Sequence, residues 1–420
     1  MAYSNSQQFI FVLRRIVLFL YGVSTCFGTF AIGGAGGGSN YTISFMLAGL
    51  YMVLMLPLVK SLSLVFHRYA KYIFPSVLFF VLLCVMNALY VNQYEVPIVS
   101  IPILSCIILY IFMLLHSLYD PKALTFGLYG FMLGTAILAV LFAFGIGIYE
   151  EVGVTLDEED RLTMFGQNQN ALGLLMANGL ALSTMFVIIY NRARWNILRF
   201  VVVIPMAFMF ILLFASGSRA ALATLVLAML AIVFLHHTEK RYMRLLFVLV
   251  GVVGMWYGFQ YLVSSEVMYE RIMLTISEGN SSGRTDIWAA LMPRLIEHPI
   301  FGVGQTGYAE VCHQELVRVA NNMQEFGYSP HNVLIEVFAY TGIIGLLCML
   351  TFWGRIFKNA RFCYKNKNDL IPLLLLFPIL LSILTGQVLA DKVAWLSYAY
   401  IVTTTMQYKS LHHEKNSLSH

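Results

Sequence analysis

Residues 327–345 read "GYSPHNVLIEVFAYTGIIG": a proline, then a histidine and an asparagine, then a run apolar enough to cross a lipid bilayer. Histidine and asparagine are a poor way to enter hydrocarbon, so this stretch sets both the fold and the question. The apolar run from 332 to 353 has the length of one spanning helix, which needs about 20 residues. The rest of the chain repeats it. With 59% hydrophobic and 11% charged residues and a mean hydropathy of +0.77, a 420-residue chain has too few polar groups to coat a water-soluble globule. The same rule marks segments near 14–32, 41–63, 72–91, 97–117, 124–148, 170–191, 199–215, 219–236, 245–263, 332–353, 370–387 and 393–409. The expected fold class is an all-α polytopic membrane protein of about twelve transmembrane helices. The first segment has no small-residue cleavage site after it and is taken as a retained span.

Charge sets the orientation, because cytoplasmic loops keep Lys and Arg. With the N-terminus inside, only Arg161, Arg219, Arg271, Arg284, Arg294, Arg318 and Lys392 of the 26 basic residues fall on the outer face, which collects most of the 21 acidic ones. Both termini are then cytoplasmic. The formal net charge of +5 belongs to cytoplasmic loops and gives no case for nucleic acid. Four of the six cysteines lie in spans, Cys363 falls in a cytoplasmic loop, and Cys312 alone is outside. No CxxC pair, HExxH helix, phosphate-binding GxxxxGK[ST] or dinucleotide GxGxxG occurs, so neither a metal nor a nucleotide cofactor has a ligand set here.

The organisation expected is a membrane portion over 1–263, an outer loop over 264–331, and a second membrane portion with a cytoplasmic tail over 332–420. A loop that long is usually functional or disordered, and this one carries helical periodicity. Ile287, Trp288, Leu291, Met292, Leu295 and Ile296 make one apolar face despite Pro293; Tyr308, Val311, Cys312, Leu316, Val319 and Met323 make another. Two amphipathic helices at the outer boundary are expected, joined by the Gly/Pro turn "HPIFGVGQTG" (298–307). A second outer stretch, 149–169, is acidic and then polar, and "GGAGGGSN" (33–40) reads as a flexible linker.

Arginine on the face that avoids positive charge needs a reason. Arg219, in "SGSRAALATL" (216–225), starts a span, where unpaired helix N–H groups and a guanidinium together make an anion site. Snorkelling to headgroups accounts for it equally well. Arg284, in "SSGRTDIW", is a solvated loop arginine or a second anion ligand, with Ser282 or Thr285 as the cap of the next helix. His331 is an interfacial polar group or a base, and Asn332 either orients it or caps the helix. In "FGQNQNALG" (165–173), Gln167, Asn168 and Asn170 cap the sixth span or bind sugar or phosphate. Asp391, in "LADKVAWLSY" (389–398), stands beside Lys392, the partner that a structural ion pair would use.

The runs 216–225, 283–308 and 329–345 together resemble the O-antigen ligase and O-antigen polymerase superfamily of bacterial membrane glycosyltransferases. The likeness covers about 160–345 in motif detail and the rest in layout. It implies an enzyme of the inner membrane, with its active site facing the periplasm, that takes a glycan from an undecaprenyl-diphosphate-linked donor. In the ligases the acceptor is lipid A-core; in the polymerases it is a second lipid-linked glycan; in protein O-oligosaccharyltransferases it is a protein hydroxyl. No cofactor is implied, and the partners are these lipid-linked substrates and membrane lipids. Carried over by position, Arg219 and Arg284 hold the diphosphate, His331 is the catalytic base, and Asp391, Asn332, Asn168, Asn170 and Gln167 are accessory. Guanidinium groups stabilise charge that grows on a departing diphosphate, and an imidazole takes a hydroxyl proton near neutral pH. Direct displacement inverts the anomeric centre. The ligase is the preferred reading because one outer loop dominates. A transporter fits less well, since the unusual charges gather at the outer edge and not at midplane.

Overall fold

The computed structural model describes residues 5–28, 42–91, 100–150, 162–165, 167–189, 197–235, 256, 260, 284–315, 330–385 and 389–417. They form helices α1 (Asn5–Thr25), α2 (Ile43–Met55), α3 (Leu62–Leu89), α4 (Ser100–Tyr119), α5 (Ala123–Ala143), α6 (Gln169–Ile189), α7 (Ile197–Ala215), α8 (Arg219–Leu235), α9 (Arg284–Leu295), α10 (Gly304–Val311), α11 (Val333–Lys367), α12 (Ile371–Leu374), α13 (Leu376–Thr385) and α14 (Lys392–Ser417). Strands β1 (Ile148–Glu150) and β2 (Leu162–Met164) pair antiparallel, Tyr149 opposite Thr163, and pinch the base of the acidic stretch. This small ribbon is the one departure from an all-helical chain among the described residues.

Among the described residues, six segments are long and apolar enough to cross a membrane: Gln8–Thr25, Ile43–Leu89, Ser100–Tyr119, Ala123–Ala143, Gln169–Val187 and Val333–Lys367. Val202–Ala215, Arg219–Leu235 and Ile371–Leu384 are apolar but shorter. The chain is a multi-pass membrane protein. The expected ninth span, 245–263, lies outside the described residues apart from 256 and 260, as does the Gly-rich 33–40. Expected spans two and three are not separated by a wide loop. A 3-10 turn at Leu56–Ser61, entered through Pro57, runs α2 directly into α3.

α3 shows why the solvent is lipid. Tyr72, Ile73, Ser76, Phe79, Leu83 and Met86 are buried, while Phe74, Leu78, Val81 and Val85 on the opposite side are exposed. A helix apolar all round is stable only where its outer face meets hydrocarbon. Helix contacts therefore depend on close packing rather than on hydrophobic contrast. α1 and α5 approach through glycines: a Cβ on Gly130 would strike the Phe19 carbonyl, and one on Gly134 would lie 2.6 Å from the Val23 carbonyl oxygen.

α14 behaves differently from its neighbours. From Val393 to Thr405 every residue is buried, including Ser397, Thr403, Thr404 and Thr405, and the helix packs on α11, α4 and α5. Two of its hydroxyls return to its own backbone: Thr403 and Thr405 each donate at 2.8 Å to the carbonyl four residues earlier. A central helix never faces lipid, so it tolerates polar residues that a peripheral span does not.

α11 is bent at Gly342 (φ +61°, ψ −161°). The bend frees backbone groups, and the 299–303 strap satisfies them: Val303 N donates to Ala339 O and Ile343 N to Pro299 O, both at 2.8 Å. The strap then enters α10, whose Gln305 N donates to Asn87 Oδ1 at 2.6 Å. The "HPIFGVGQTG" turn thus clamps α11 to α3 instead of lying loose at the boundary. The expected second amphipathic helix is seen only as α10 and the residues to 315; Leu316, Val319 and Met323 lie outside the described residues.

Candidate active site

The His331 segment is built from two sides. Asn332 is extended (φ −149°, ψ 114°), and its Oδ1 accepts from Leu334 N at 2.9 Å and Ile335 N at 3.4 Å. Asn332 therefore caps α11; its side-chain oxygen is spent on the helix and not on His331. From the loop side, α9 buries Ile287, Leu291 and Leu295, spaced one turn apart, and so presents Trp288 toward Pro330. Trp288 Nε1 donates to Pro330 O at 2.7 Å. Between these two ties His331 takes the left-handed conformation (φ +50°), which only a few per cent of non-glycine residues adopt. Strain of this kind persists where the surroundings overdetermine it.

Arg284 lies four residues before Trp288, on the same side of α9. Burial, and then the Arg284 charge, hold the His331 imidazole below its ordinary range. Such a group stays neutral, and so able to accept a proton, at a pH where a free imidazole is partly charged. Arg284 and Thr285 are both helical, so Thr285 lies within α9 and not at its cap; Ser282 lies outside the described residues.

His331 opens onto a cavity of about 530 Å³. Its wall comes from the C-terminal end of α1, the first half of α6, the first turn of α11, the body of α13 and the start of α14. Of the residues singled out in the sequence, it brings together His331, Gln167, Asn168, Asn170 and Asp391. Asn168 Oδ1 accepts from Asn170 N at 2.9 Å, so Asn168 caps α6. Gln167 Nε2 donates to Cys26 O at 2.5 Å, tying α6 to α1. Asp391 Oδ1 accepts from Val393 N at 2.9 Å and caps α14; burial raises its carboxyl pKa, and the backbone N–H groups oppose that shift. Lys392 Nζ turns instead to Thr42 Oγ1 at 3.2 Å, so the expected Asp391–Lys392 pair is not made.

Arg219 does not line this cavity. It is exposed at the first residue of α8, where Ser218 Oγ accepts from Ala221 N at 3.3 Å and caps the helix. α8 meets α6 at Gly173, where a Cβ would come within 2.8 Å of Ser218 Cβ. That contact puts Arg219 beside the helix start that carries Asn170, at the same end of the bundle as the cavity.

Five polar cavity residues escaped the sequence reading as site candidates: Thr25, Asn178, Glu336, Ser382 and Ser397. Glu336 is 6% exposed, and its Oε2 has no hydrogen-bond partner. Asn178 Oδ1, Gln167 Oε1 and Ser397 Oγ are also buried and unpartnered. Leaving such a group unpaired costs about 1–3 kcal/mol. A glutamate five residues after His331 in a lipid-facing sequence was the available signal; Asn178 and Ser397 sit within apolar spans and gave none. Among the described residues, no three His, Cys, Asp or Glu side chains are placed to share a metal ion.

Residues 204–350 match the family model described as O-Antigen ligase, a segment that runs from α7 through the strap to the bend of α11 and beyond. The chain is also similar to the O-antigen ligase of Pseudomonas aeruginosa, at 28% identity over 209 residues, which is 50% of this chain. The chain spans 46% of the length of that relative. Both comparisons support the O-antigen ligase superfamily for this chain, and the family-model match spans the "SGSRAALATL" and "SPHNVLIEVF" runs.

Proposed function

We propose that this chain is a glycosyltransferase of the ligase type, moving a glycan from undecaprenyl diphosphate to lipid A-core on the periplasmic face of a bacterial inner membrane. The observation that carries this reading is the convergence of His331 and Asp391 on one cavity, with the Arg284 charge acting on His331. The family match over 204–350 supports it, since that segment contains Arg219, Arg284 and His331. The topology that goes with it has about twelve spans, both termini cytoplasmic, and the 264–331 loop covering the site between membrane portions 1–263 and 332–420.

His331 takes the proton from the acceptor hydroxyl as its oxygen bonds to the anomeric carbon. The bond from that carbon to the diphosphate oxygen breaks on the opposite side, which inverts the centre. Arg219, at the first residue of α8, and Arg284, in the helical segment before His331, receive the charge that builds on the diphosphate. The polyprenyl tail stays in the bilayer, so reaction at helix ends suits a donor with one greasy and one charged part. No step in this scheme uses a cofactor.

A strain deleted for the gene tests the reading. Lipid A-core without attached glycan, together with accumulated lipid-linked polymer, is expected. Core bearing a single repeat unit would identify a polymerase instead. Purified protein that forms no new glycosidic bond from lipid-linked glycan and acceptor would overturn both.

A further inference from the structure

The inner wall of the cavity carries chemistry that a diphosphate clamp does not use. Gln167 Oε1, Asn178 Oδ1, Glu336 Oε2 and Ser397 Oγ belong to residues lining it, and each is buried without a partner. The Gln167 and Asn178 amide oxygens are acceptors only, while the Glu336 carboxyl and the Ser397 hydroxyl can each accept or, when protonated, donate. The Gln167 amide cannot be turned to hide its oxygen, because Nε2 is held by Cys26 O. Asp391 adds a second carboxylate to the lining, and no Lys or Arg lines the cavity among the described residues. A phosphate placed here would meet two carboxylates and find no cation. A group rich in hydroxyls, which both donate and accept, matches a lining of this composition.

We infer that this wall is a subsite for an uncharged sugar ring, held by hydroxyl groups donating to Glu336, Asn178, Gln167 and Ser397, and closed to sugars that carry a carboxylate. Leu174, Leu175 and Ile379 in the same lining supply an apolar surface for the C–H face of the ring. The volume of about 530 Å³ is within the range of small-molecule sites. The inference rests on the glycan-transfer reading and adds a division of labour: cations outside the cavity take the diphosphate, and acceptors inside it choose the sugar.

The test uses the full chain in lipid nanodiscs free of sugar detergents, with methyl β-glucopyranoside and methyl β-glucuronide as probes. Binding is read by saturation-transfer NMR, and transfer by product formation from lipid-linked glycan. The neutral glycoside should bind at least about tenfold more tightly than the uronide, and Glu336→Gln and Asn178→Leu should each weaken it by about tenfold. If Glu336→Gln fails to fold, Ser397→Ala, which removes one hydroxyl, should still weaken it by about threefold. Equal binding of the two glycosides, or folded variants that bind like the wild type, would overturn the subsite. Selective binding without transfer would leave the subsite standing and remove the reaction; transfer without selectivity would do the reverse.

Discussion

Replacing Trp288 by Phe tests how His331 is held. The change keeps most of the ring that packs beside Ile287 and Leu291 and deletes one N–H, the donor to Pro330 O at 2.7 Å. A hydrogen bond of this kind contributes about 0.5–1.5 kcal/mol net, and a carbonyl left without a partner costs about 1–3 kcal/mol. His331 has its φ at +50°, a conformation whose strain is of the order of 1 kcal/mol or more. The bond and the strain it restrains are therefore of similar size, and without the bond the histidine can relax away from the cavity. A displacement of about 1 Å at a reacting group costs as much as 100-fold in rate. The expectation is a kcat about 10- to 100-fold lower, with KM for the lipid-linked donor within about twofold, because the tie positions a base and binds no substrate. Steady-state transfer in nanodiscs, beside a thermal melt showing that the variant is folded, measures it. A folded Trp288→Phe enzyme with wild-type kcat would refute the claim that this bond positions His331.

The acid limb of kcat/KM should fall below about pH 6.5, the ordinary histidine value, because burial and Arg284 lower the His331 pKa; Arg284→Met should move that limb upward while also weakening the donor. The same shift gives the sign for stability. Above about pH 6.5 the histidine is neutral in both states; below it the unfolded chain binds the proton first, so stability declines as pH falls toward the folded pKa. Gly342→Val should prevent normal folding, seen as loss of a monodisperse size-exclusion peak, because the new Cβ would collide with the Ile300 carbonyl at a backbone angle open to glycine. Asn332→Ala should cost about 1 kcal/mol of thermal stability and Asn332→Ser should recover most of it, as expected for a cap. Midway along α1, Arg15→Met strips the buried Asp120 of its 2.5 Å and 2.7 Å bonds and should destabilise by about 3–5 kcal/mol, more than Asp120→Asn does.

Parts of the site could be read from the chain order, and they are the parts that depend on a local edge. Arg219 and His331 declared themselves because each is a polar residue where an apolar run begins, and α9 because Ile287, Leu291 and Leu295 keep helical spacing. The choice between roles could not be read. "HN" is compatible with an asparagine that orients a histidine or caps a helix, and only the Asn332 Oδ1 contacts with Leu334 and Ile335 decide for the cap. The Asp391–Lys392 pairing suggested by adjacency fails for a similar reason. Neighbours at a helix start diverge, and Thr42 reaches Lys392 from a distant part of the chain.

Hydropathy and charge determined that this chain lies in a membrane and which residues stand at the edges of its helices, because span length and the cost of a charge in lipid are local properties of a segment. Tertiary structure decided the rest. It made α14 a central helix whose polar residues never meet lipid, turned a Gly/Pro stretch into the strap that satisfies the bend in α11, and gathered Gln167, Asn178, His331, Glu336, Asp391 and Ser397 around one cavity. Those six come from three separate helices and the residues that lead into them, and a pattern that repeats within one segment carries no record of which other segment will face it.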